Sequence, residues 1–343
     1  MSSSEFLGGA GQFAGGATGA GQEQRGPRYD LRPLSTGEVL DRTFQLYRSH
    51  FLLFVGLALL PAAVSTVTNA AKLVLVRYPG TAHSGAPAWA LMLAGVLSII
   101  GGLLALVVYG ITEAATIWAM SAVYLGEPAS IKSAYKVAFK HWFRYTLVKL
   151  RQIWTAMWLP MVLFIAAFSV AGVVARHRGI GSSTLVIALF VLAFISLIYG
   201  LWAYLRVSMA VPAAVVESLK VGAAMRRSKQ LLVSRKFRIL LLFLLMAALY
   251  IVVGMVESPL LILAVRSRGA QAFATRAIQL GVNFVAGTLI APVGAIGVCL
   301  FYFDERVRRE GFDIEWMMGK LAPAEAAATD LPGPATEPPA EPA

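Results

Sequence analysis

The stretch RVSMAVPAAVVESLKVGAAMRRSKQLLVSRKFR, residues 206–238, decides the fold. It holds eight lysine and arginine residues against a single acid, Glu217. Apolar runs flank it on both sides, residues 182–205 before it and 239–264 after it. Each run can cross the roughly 30 Å of bilayer hydrocarbon, which takes about 20 apolar residues. A basic segment between two such runs is typical of the cytoplasmic side of a membrane protein, and the remaining spans then follow by alternation.

Composition extends this interpretation to the whole chain. Hydrophobic residues make up 58% of the 343 residues and charged residues 14%, against roughly 45–50% and about 25% in soluble domains. We therefore predict an all-α, polytopic integral membrane protein with six transmembrane helices. The second block is so long that it either projects beyond the membrane or bends near Gly110. The predicted spans are residues 51–76, 88–125, 152–175, 182–205, 239–264 and 277–303.

The distribution of positive charge predicts the orientation. The segments on the same side as residues 206–238 hold 23 lysine and arginine residues, and the segments on the other side hold 7. This bias predicts a multi-pass protein of the plasma (inner) membrane with both termini in the cytoplasm. The net charge of +12 then indicates attraction to anionic lipid headgroups. Nucleic acid is not expected as a partner, since no recognition fold has room between the spans.

Three regions are expected along the chain. Residues 1–32 are Gly-rich and residues 321–343 are rich in Pro, Ala and Glu, so both tails are predicted to be disordered around a membrane domain at 33–320. Ser35 and Glu38 have the spacing of a capping box, which predicts a short interfacial helix before the first span.

Further patterns predict three local features. A second amphipathic helix is expected within residues 126–151, and its basic stripe is Lys132, Lys136, Lys140 and Arg144. In the last span, small residues recur every four positions, a pattern that lets another helix approach closely: Gly287, Ala291 and Ala295. The stretch DERVRREG, residues 304–311, contains three i,i+4 ion pairs and predicts a helical extension that stops at Gly311.

Polar residues inside the apolar blocks are the candidate functional residues, because charge in hydrocarbon is costly. One hypothesis places Glu113 and Arg206 in a shared polar cavity on a substrate or proton path. The alternative places Glu113 near the interface of an overlong helix, with Arg206 extending to the headgroups. Glu257 is expected to reach water at the outer end of its span. Asn69 either lines a site or, as we favour, forms an interhelical hydrogen bond.

Four stretches together resemble a known family. They are RPLSTGEVLDRTFQLYRSHF (32–51), AVYLGEPASIKSAYKVAFKHWFRY (122–145), VPAAVVESLKVGAAMRRSKQLL (211–232) and YFDERVRREGFDIE (302–315). In order and spacing they are similar to the prokaryotic membrane-domain family named after the membrane region of glycerophosphoryl diester phosphodiesterase. The resemblance implies a polytopic inner-membrane domain without an established activity of its own.

The phosphodiesterase activity in that name is not expected here. It belongs to a separate barrel of roughly 250 residues, which is absent, and the chain's four histidines are scattered over three loops. Cys299 is the single cysteine, which leaves no cysteine-based metal site. We therefore predict no enzymatic activity and no cofactor.

Two functions remain open. The first is a non-catalytic scaffold or accessory subunit that organises lipid or protein partners through its basic cytoplasmic face. The alternative is a transporter or permease-like protein for a small or lipid-derived solute, which predicts a polar-lined cavity at mid-membrane containing Glu113 or Arg206. A third, weaker option is a lipid-headgroup enzyme, which needs clustered interfacial acids or histidines that the sequence does not supply.

Overall fold

The computed structural model describes residues 33–77, 88–177, 182–232, 236–267 and 269–311. Within these ranges the chain forms ten α-helices and no β-strand. The tails predicted to be disordered, residues 1–32 and 321–343, lie outside the described residues. The helices are α1 (Thr36–Ser49), α2 (Phe51–Arg77), α3 (Ala88–Tyr124), α4 (Ile131–Lys140), α5 (Trp142–His177), α6 (Ser182–Val207), α7 (Ala210–Val216), α8 (Val221–Leu231), α9 (Lys236–Arg266) and α10 (Gly269–Glu310).

Six of the helices in the described ranges are long and apolar enough to cross a membrane: α2, α3, α5, α6, α9 and α10. This confirms the all-α polytopic membrane fold. Large apolar side chains such as Met92, Ile198 and Phe237 are exposed on the outside of these helices, as expected where lipid rather than water is the solvent.

Several helices are longer than a membrane is thick. The 37 residues of α3 rise about 55 Å, so this helix projects beyond roughly 30 Å of hydrocarbon. It continues unbroken through Gly110, which selects the projecting alternative for the second span. The 36-residue α5 begins ten positions before the predicted third span. The 42-residue α10 is the longest helix in the described part of the chain.

The short helices gather at one end of the bundle, which we call the termini face because residues 33 and 311 also lie there. The opposite end is the distal face. On the termini face, α1 packs against α10 and begins with the predicted capping box. The Ser35 amide donates to Glu38 Oε2 at 2.6 Å, and the Glu38 amide donates to Ser35 Oγ at 3.3 Å.

The predicted basic amphipathic helix is shorter than expected. It ends at Lys140, because His141 leaves helical backbone geometry and α5 begins at the next residue. Arg144 therefore belongs to α5 rather than to the basic stripe, and its Nη1 donates to the Ser218 carbonyl at 3.0 Å. The stripe on α4 consists of three exposed lysines: Lys132, Lys136 and Lys140.

The end of α10 is helical, as the charge spacing predicted. The three expected i,i+4 ion pairs all form, with N–O distances between 3.1 and 3.3 Å. The helix stops at Gly311, whose φ of 62° suits glycine. The paired residues are Asp304 with Arg308, Glu305 with Arg309, and Arg306 with Glu310.

A long-range arginine adds to this network, which we call the ionic cluster. Arg238 Nη1 lies 2.8 Å from Asp304 Oδ2 and 3.4 Å from Glu305 Oε1. Asp304 also accepts from the Leu34 amide at 2.7 Å. Both acidic residues are almost fully buried, so Arg238 ties the start of α9 and the segment before α1 to the end of α10.

Arg227 on α8 joins the same end of α10. Its guanidinium binds Glu217 at 2.9 Å and Glu310 at 2.6 Å. Burial alone would lower the pKa of Arg227, but hydrogen bonds and charge from Glu310 and Glu217 raise it well above its ordinary value. Glu217 also accepts a hydrogen bond from the Tyr302 hydroxyl. The residue that interrupts the basic stretch 206–238 is thus an anchor for α8.

At Gly287, the first of the small residues of α10, the predicted close helix approach is not seen. A side chain at Gly287 would meet nothing within 4 Å, and Ala291 and Ala295 line a cavity. The close helix approach occurs instead at Gly297, where an added Cβ would lie 2.6 Å from Leu242 of α9.

Candidate functional site

A mostly buried ion pair joins α3 to α5. Glu113 Oε2 lies 2.6 Å from Lys149 Nζ, and the two side chains are 21% and 17% exposed. Tyr204 of α6 lies beside Lys149. Both members of the pair lie within helices that can span a membrane. Because an isolated charge there costs several kcal/mol, the pairing explains how α3 and α5 carry ionised groups in apolar surroundings.

The ion pair lines a cavity of about 420 Å³, which we call the central cavity. This volume lies within the range of small-molecule pockets, roughly 300–1,000 Å³. All six spanning helices contribute to its wall. Its polar lining consists of Glu113, Lys149, Thr112, Thr116, Tyr109, Tyr204, Ser208 and Tyr250.

The surface helix α4 braces one wall of the central cavity. The Tyr135 hydroxyl donates to the Leu57 carbonyl at 2.6 Å and lies 3.1 Å from Thr112 Oγ1. Burial raises the pKa of Tyr135 above its ordinary value, and the bond with Thr112 offsets this in part. The hydroxyl therefore stays protonated at neutral pH and remains a donor that links α4 to α2 and α3.

A second cavity of about 710 Å³ lies in the distal half of the bundle, and we call it the distal cavity. Two cations line it, Lys72 from α2 and Arg276 from α10, and its lining includes no carboxylate from the part of the chain that the structure describes. Amide and hydroxyl groups supply the rest of its polar surface: Ser65, Thr66, Asn69, Tyr109, Tyr250, Gln279 and Asn283.

The two cavities meet at a pair of tyrosines, Tyr109 of α3 and Tyr250 of α9, which line both. On α10 the combined lining runs from Arg276 to Val298. These residues are 22 positions apart in the sequence, or about 33 Å along a helix. The cavities placed end to end therefore match the roughly 30 Å of hydrocarbon in a bilayer. We call this arrangement the polar path.

The four residues selected from the sequence have different surroundings. Glu113 lines the central cavity and Asn69 lines the distal cavity. Arg206 lines neither cavity. The cation that shares the central cavity with Glu113 is Lys149 instead. The Arg206 guanidinium lies 4.6 Å from the centre of the Trp202 ring, a cation–π contact. Glu257 also lies outside both cavities, and its Oε1 is buried with no hydrogen-bond partner among the described residues.

Asn69 makes no side-chain hydrogen bond to another helix among the residues that the structure describes, so the favoured interhelical bond is not seen there. Its position on the cavity wall agrees with the other hypothesis, that Asn69 lines a site.

Sequence reasoning missed Lys149, Lys72 and Arg276, although signals for them were present. The basic stripe that starts at Lys132 repeats every four residues and would continue at position 148. Lys149 is one position later and so lies on a different helix face. The other two belong to polar stripes at helical spacing within apolar surroundings. These stripes are Ser65, Asn69 and Lys72 on α2, and Arg276, Gln279 and Asn283 on α10.

Comparison with known proteins found no match to a family model, to a curated protein or to a solved structure. The resemblance to the glycerophosphoryl diester phosphodiesterase membrane-domain family therefore stays a prediction. Among the described residues no group of three or more histidine, cysteine, aspartate or glutamate side chains is placed to hold a metal ion. The absence of enzymatic activity and of a cofactor likewise stays a prediction.

Proposed function

We propose that this integral membrane protein is permease-like and moves a solute along the polar path. The observation that supports this is the path itself. Two polar-lined cavities, together about as long as a bilayer is thick, lie between helices that are otherwise apolar. Ionisable residues inside membrane spans usually mark substrate or ion pathways. In the central cavity, Glu113 and Lys149 would be the charged groups that a passing solute meets.

In the proposed orientation the termini face is cytoplasmic and the distal face is external. The excess of lysine and arginine on the termini face supports this assignment through the positive-inside bias. A solute then enters the distal cavity from outside and reaches the central cavity when Tyr109 and Tyr250 separate. The tyrosines act as the boundary, because they are the polar side chains common to both linings.

The scaffold hypothesis draws its support from the basic termini face, including the exposed lysines of α4. It needs no cavity, and it would allow the bundle centre to be packed. The transport alternative predicts a polar-lined cavity at mid-membrane that contains Glu113 or Arg206. The central cavity contains Glu113 and lies in the half of the path nearer the termini face. We take this cavity as support for a permease over a scaffold.

Cysteine labelling tests the proposal on the full-length protein in liposomes. The background carries Cys299→Ser, because the native thiol is free and buried. Asn69→Cys faces the distal cavity, whereas Val67→Cys, two residues away and 67% exposed on the outside of α2, is the matched control. A membrane-impermeant thiol reagent added at the distal face should label Asn69→Cys much faster than Val67→Cys. Equal rates would contradict a water-filled path.

Movement through the boundary is tested at Thr116, which lines the central cavity. Thr116 is only 2% exposed, so reagent at the termini face should label Thr116→Cys when the central cavity opens towards that face. Reagent at the distal face should also label it, more slowly, each time Tyr109 and Tyr250 separate. A chain that keeps Thr116→Cys unlabelled from the distal face, while Asn69→Cys reacts, has a closed cavity and is not a permease.

A further inference from the structure

The distal cavity carries a charge imbalance that the bundle does not compensate. Lys72 and Arg276 line it from opposite helices, and neither forms an ion pair with a carboxylate among the described residues. The central cavity differs, since its lysine is neutralised by Glu113 at 2.6 Å. Lys72 is partly exposed and Arg276 is exposed. Two cations that line one recess without a carboxylate between them favour an anion there.

The uncharged groups of the distal cavity suit an anion with several oxygen atoms. Asn69, Gln279 and Asn283 present side-chain amides whose NH₂ groups can donate hydrogen bonds. One N–H of Asn283 is already used, because its Nδ2 donates to the Gln279 carbonyl at 3.2 Å. An arginine guanidinium offers paired donors that match a phosphate or a carboxylate, and a lysine adds a compact positive charge. The stripes on α2 and α10 bring these groups to one cavity, because the two helices pack against each other.

The distal cavity also has a side that faces the lipid. The helix α9 packs on α10 but has little contact with α3 or α6. In its distal half several apolar side chains are more than half exposed, as at Ile251, Val252 and Met255. The boundary residues Tyr109 and Tyr250 are themselves 42% and 50% exposed. An acyl chain can therefore lie between α3 and α9 while a polar headgroup occupies the cavity.

We propose that the distal cavity binds an oxyanion, carried by a water-soluble solute or by a lipid headgroup, with Lys72 and Arg276 as its charge partners. This deepens the proposed function, because it names the substrate class of the polar path. Binding is nevertheless measured without transport, so each proposal can fail alone.

The binding experiment uses the full chain in nanodiscs of neutral phosphatidylcholine, with inorganic phosphate as the titrated probe. The test variant is Lys72→Gln/Arg276→Gln. The matched control is Lys132→Gln/Lys136→Gln, which removes the same charge from the exposed face of α4. Phosphate should bind the parent and the control alike. The test variant should bind at least roughly tenfold more weakly, as expected for the loss of charge-assisted hydrogen bonds.

A second arm identifies a lipid source. The parent protein is purified from membranes containing phosphatidylglycerol and phosphatidylcholine, and retained lipid is measured by native mass spectrometry. Selective retention of phosphatidylglycerol that is lost in Lys72→Gln/Arg276→Gln, but not in the α4 control, assigns the headgroup as the ligand. The proposal is overturned if neither phosphate nor phosphatidylglycerol binds, or if both variants lose binding equally.

The outcomes also separate the two proposals. If the oxyanion binds but reagent at the distal face does not label Thr116→Cys, the binding proposal stands and the permease proposal fails. Labelling of Thr116→Cys without oxyanion binding would leave the path and remove this ligand class.

Discussion

The Glu113–Lys149 pair gives the most informative perturbation, because isosteric replacements exist for both residues. Glu113→Gln and Lys149→Met each remove one charge and keep the side-chain volume close to the original. At the observed 2.6 Å, the gross attraction between unit charges is about 6 kcal/mol with an effective dielectric constant of 20. Desolvation of two side chains that are about four-fifths buried offsets most of that attraction.

The single variants should be much less stable than the double variant. Removing one partner leaves the other charge buried and costs about 3 kcal/mol, at the low end of the usual range because some water reaches the pair. Glu113→Gln/Lys149→Met leaves no uncompensated charge and should lie within about 1 kcal/mol of the parent. The coupling energy between Glu113 and Lys149 is then expected to be substantial, and of the sign that makes the double variant more stable than the sum of the single losses.

The assay is reversible unfolding in mixed micelles, with the parent, both single variants and the double variant measured side by side. A second cycle, Glu127→Gln with Lys140→Met, uses exposed residues of the termini face and should show no measurable coupling. Equal, additive losses at Glu113 and Lys149 would refute the reasoning, because they would mean that the two groups do not compensate each other in the folded protein.

Two further predictions concern the packing of the bundle. Gly200→Ala should destabilise the protein by about 1–3 kcal/mol, because the new Cβ would lie 2.7 Å from the Ala156 carbonyl oxygen where α5 meets α6. The control is Gly254→Ala, whose new Cβ would have no atom within 4 Å. It should leave the melting temperature unchanged or raise it slightly. An equal fall in the melting temperature of both variants would contradict the close approach at Gly200. Arg238→Met should cost about 2 kcal/mol. Asp304, 3% exposed, then keeps Arg308 as its ionic partner, but the bonds from Arg238 to the Leu34 carbonyl and Thr36 Oγ1 are lost. Hydrogen exchange in α1 should then rise well above that in α6, whereas a uniform change would argue against the ionic cluster as the anchor of the N-terminal segment.

The spanning helices were predictable because hydrophobicity is a local property of the sequence. The ends of the helices were harder to predict. The ion pairs of residues 304–310 were predicted correctly, since i,i+4 partners lie on one helix face. The early start of α5 was missed, because the charges of residues 142–151 resemble a surface helix, and the break at His141 depends on backbone geometry.

The candidate site was predictable in part, for a related reason. Glu113 stood out as a lone acid in an apolar run, but its partner did not. Lys149 lies 36 positions later and was counted with the surface charges, whereas the structure places it two turns inside α5. The pairing of Arg238 with Asp304 crosses 66 positions. Such partners are fixed by how helices pack, and a single sequence does not contain that information.

The polar stripes of α2 and α10 show how far a single sequence can predict a site before helix packing is known. Each stripe is visible in the sequence, because residues three and four positions apart share a helix face. A polar stripe alone is equally compatible with a bundle interior, a subunit interface or the membrane surface. Packing of α2 against α10 turns the two stripes towards one space, and that contact creates the distal cavity.

The order of charges along the proposed path has a physical consequence. An oxyanion in the distal cavity meets two cations that have no carboxylate partner among the described residues, so it is attracted there without displacing such a partner. Beyond Tyr109 and Tyr250 it meets Lys149, whose charge is already balanced by Glu113. To bind there it must compete with that carboxylate, so Glu113 limits how tightly the central cavity holds the anion. A path that attracts at its entrance and binds weakly further on lets a solute leave, which conduction and transport both require.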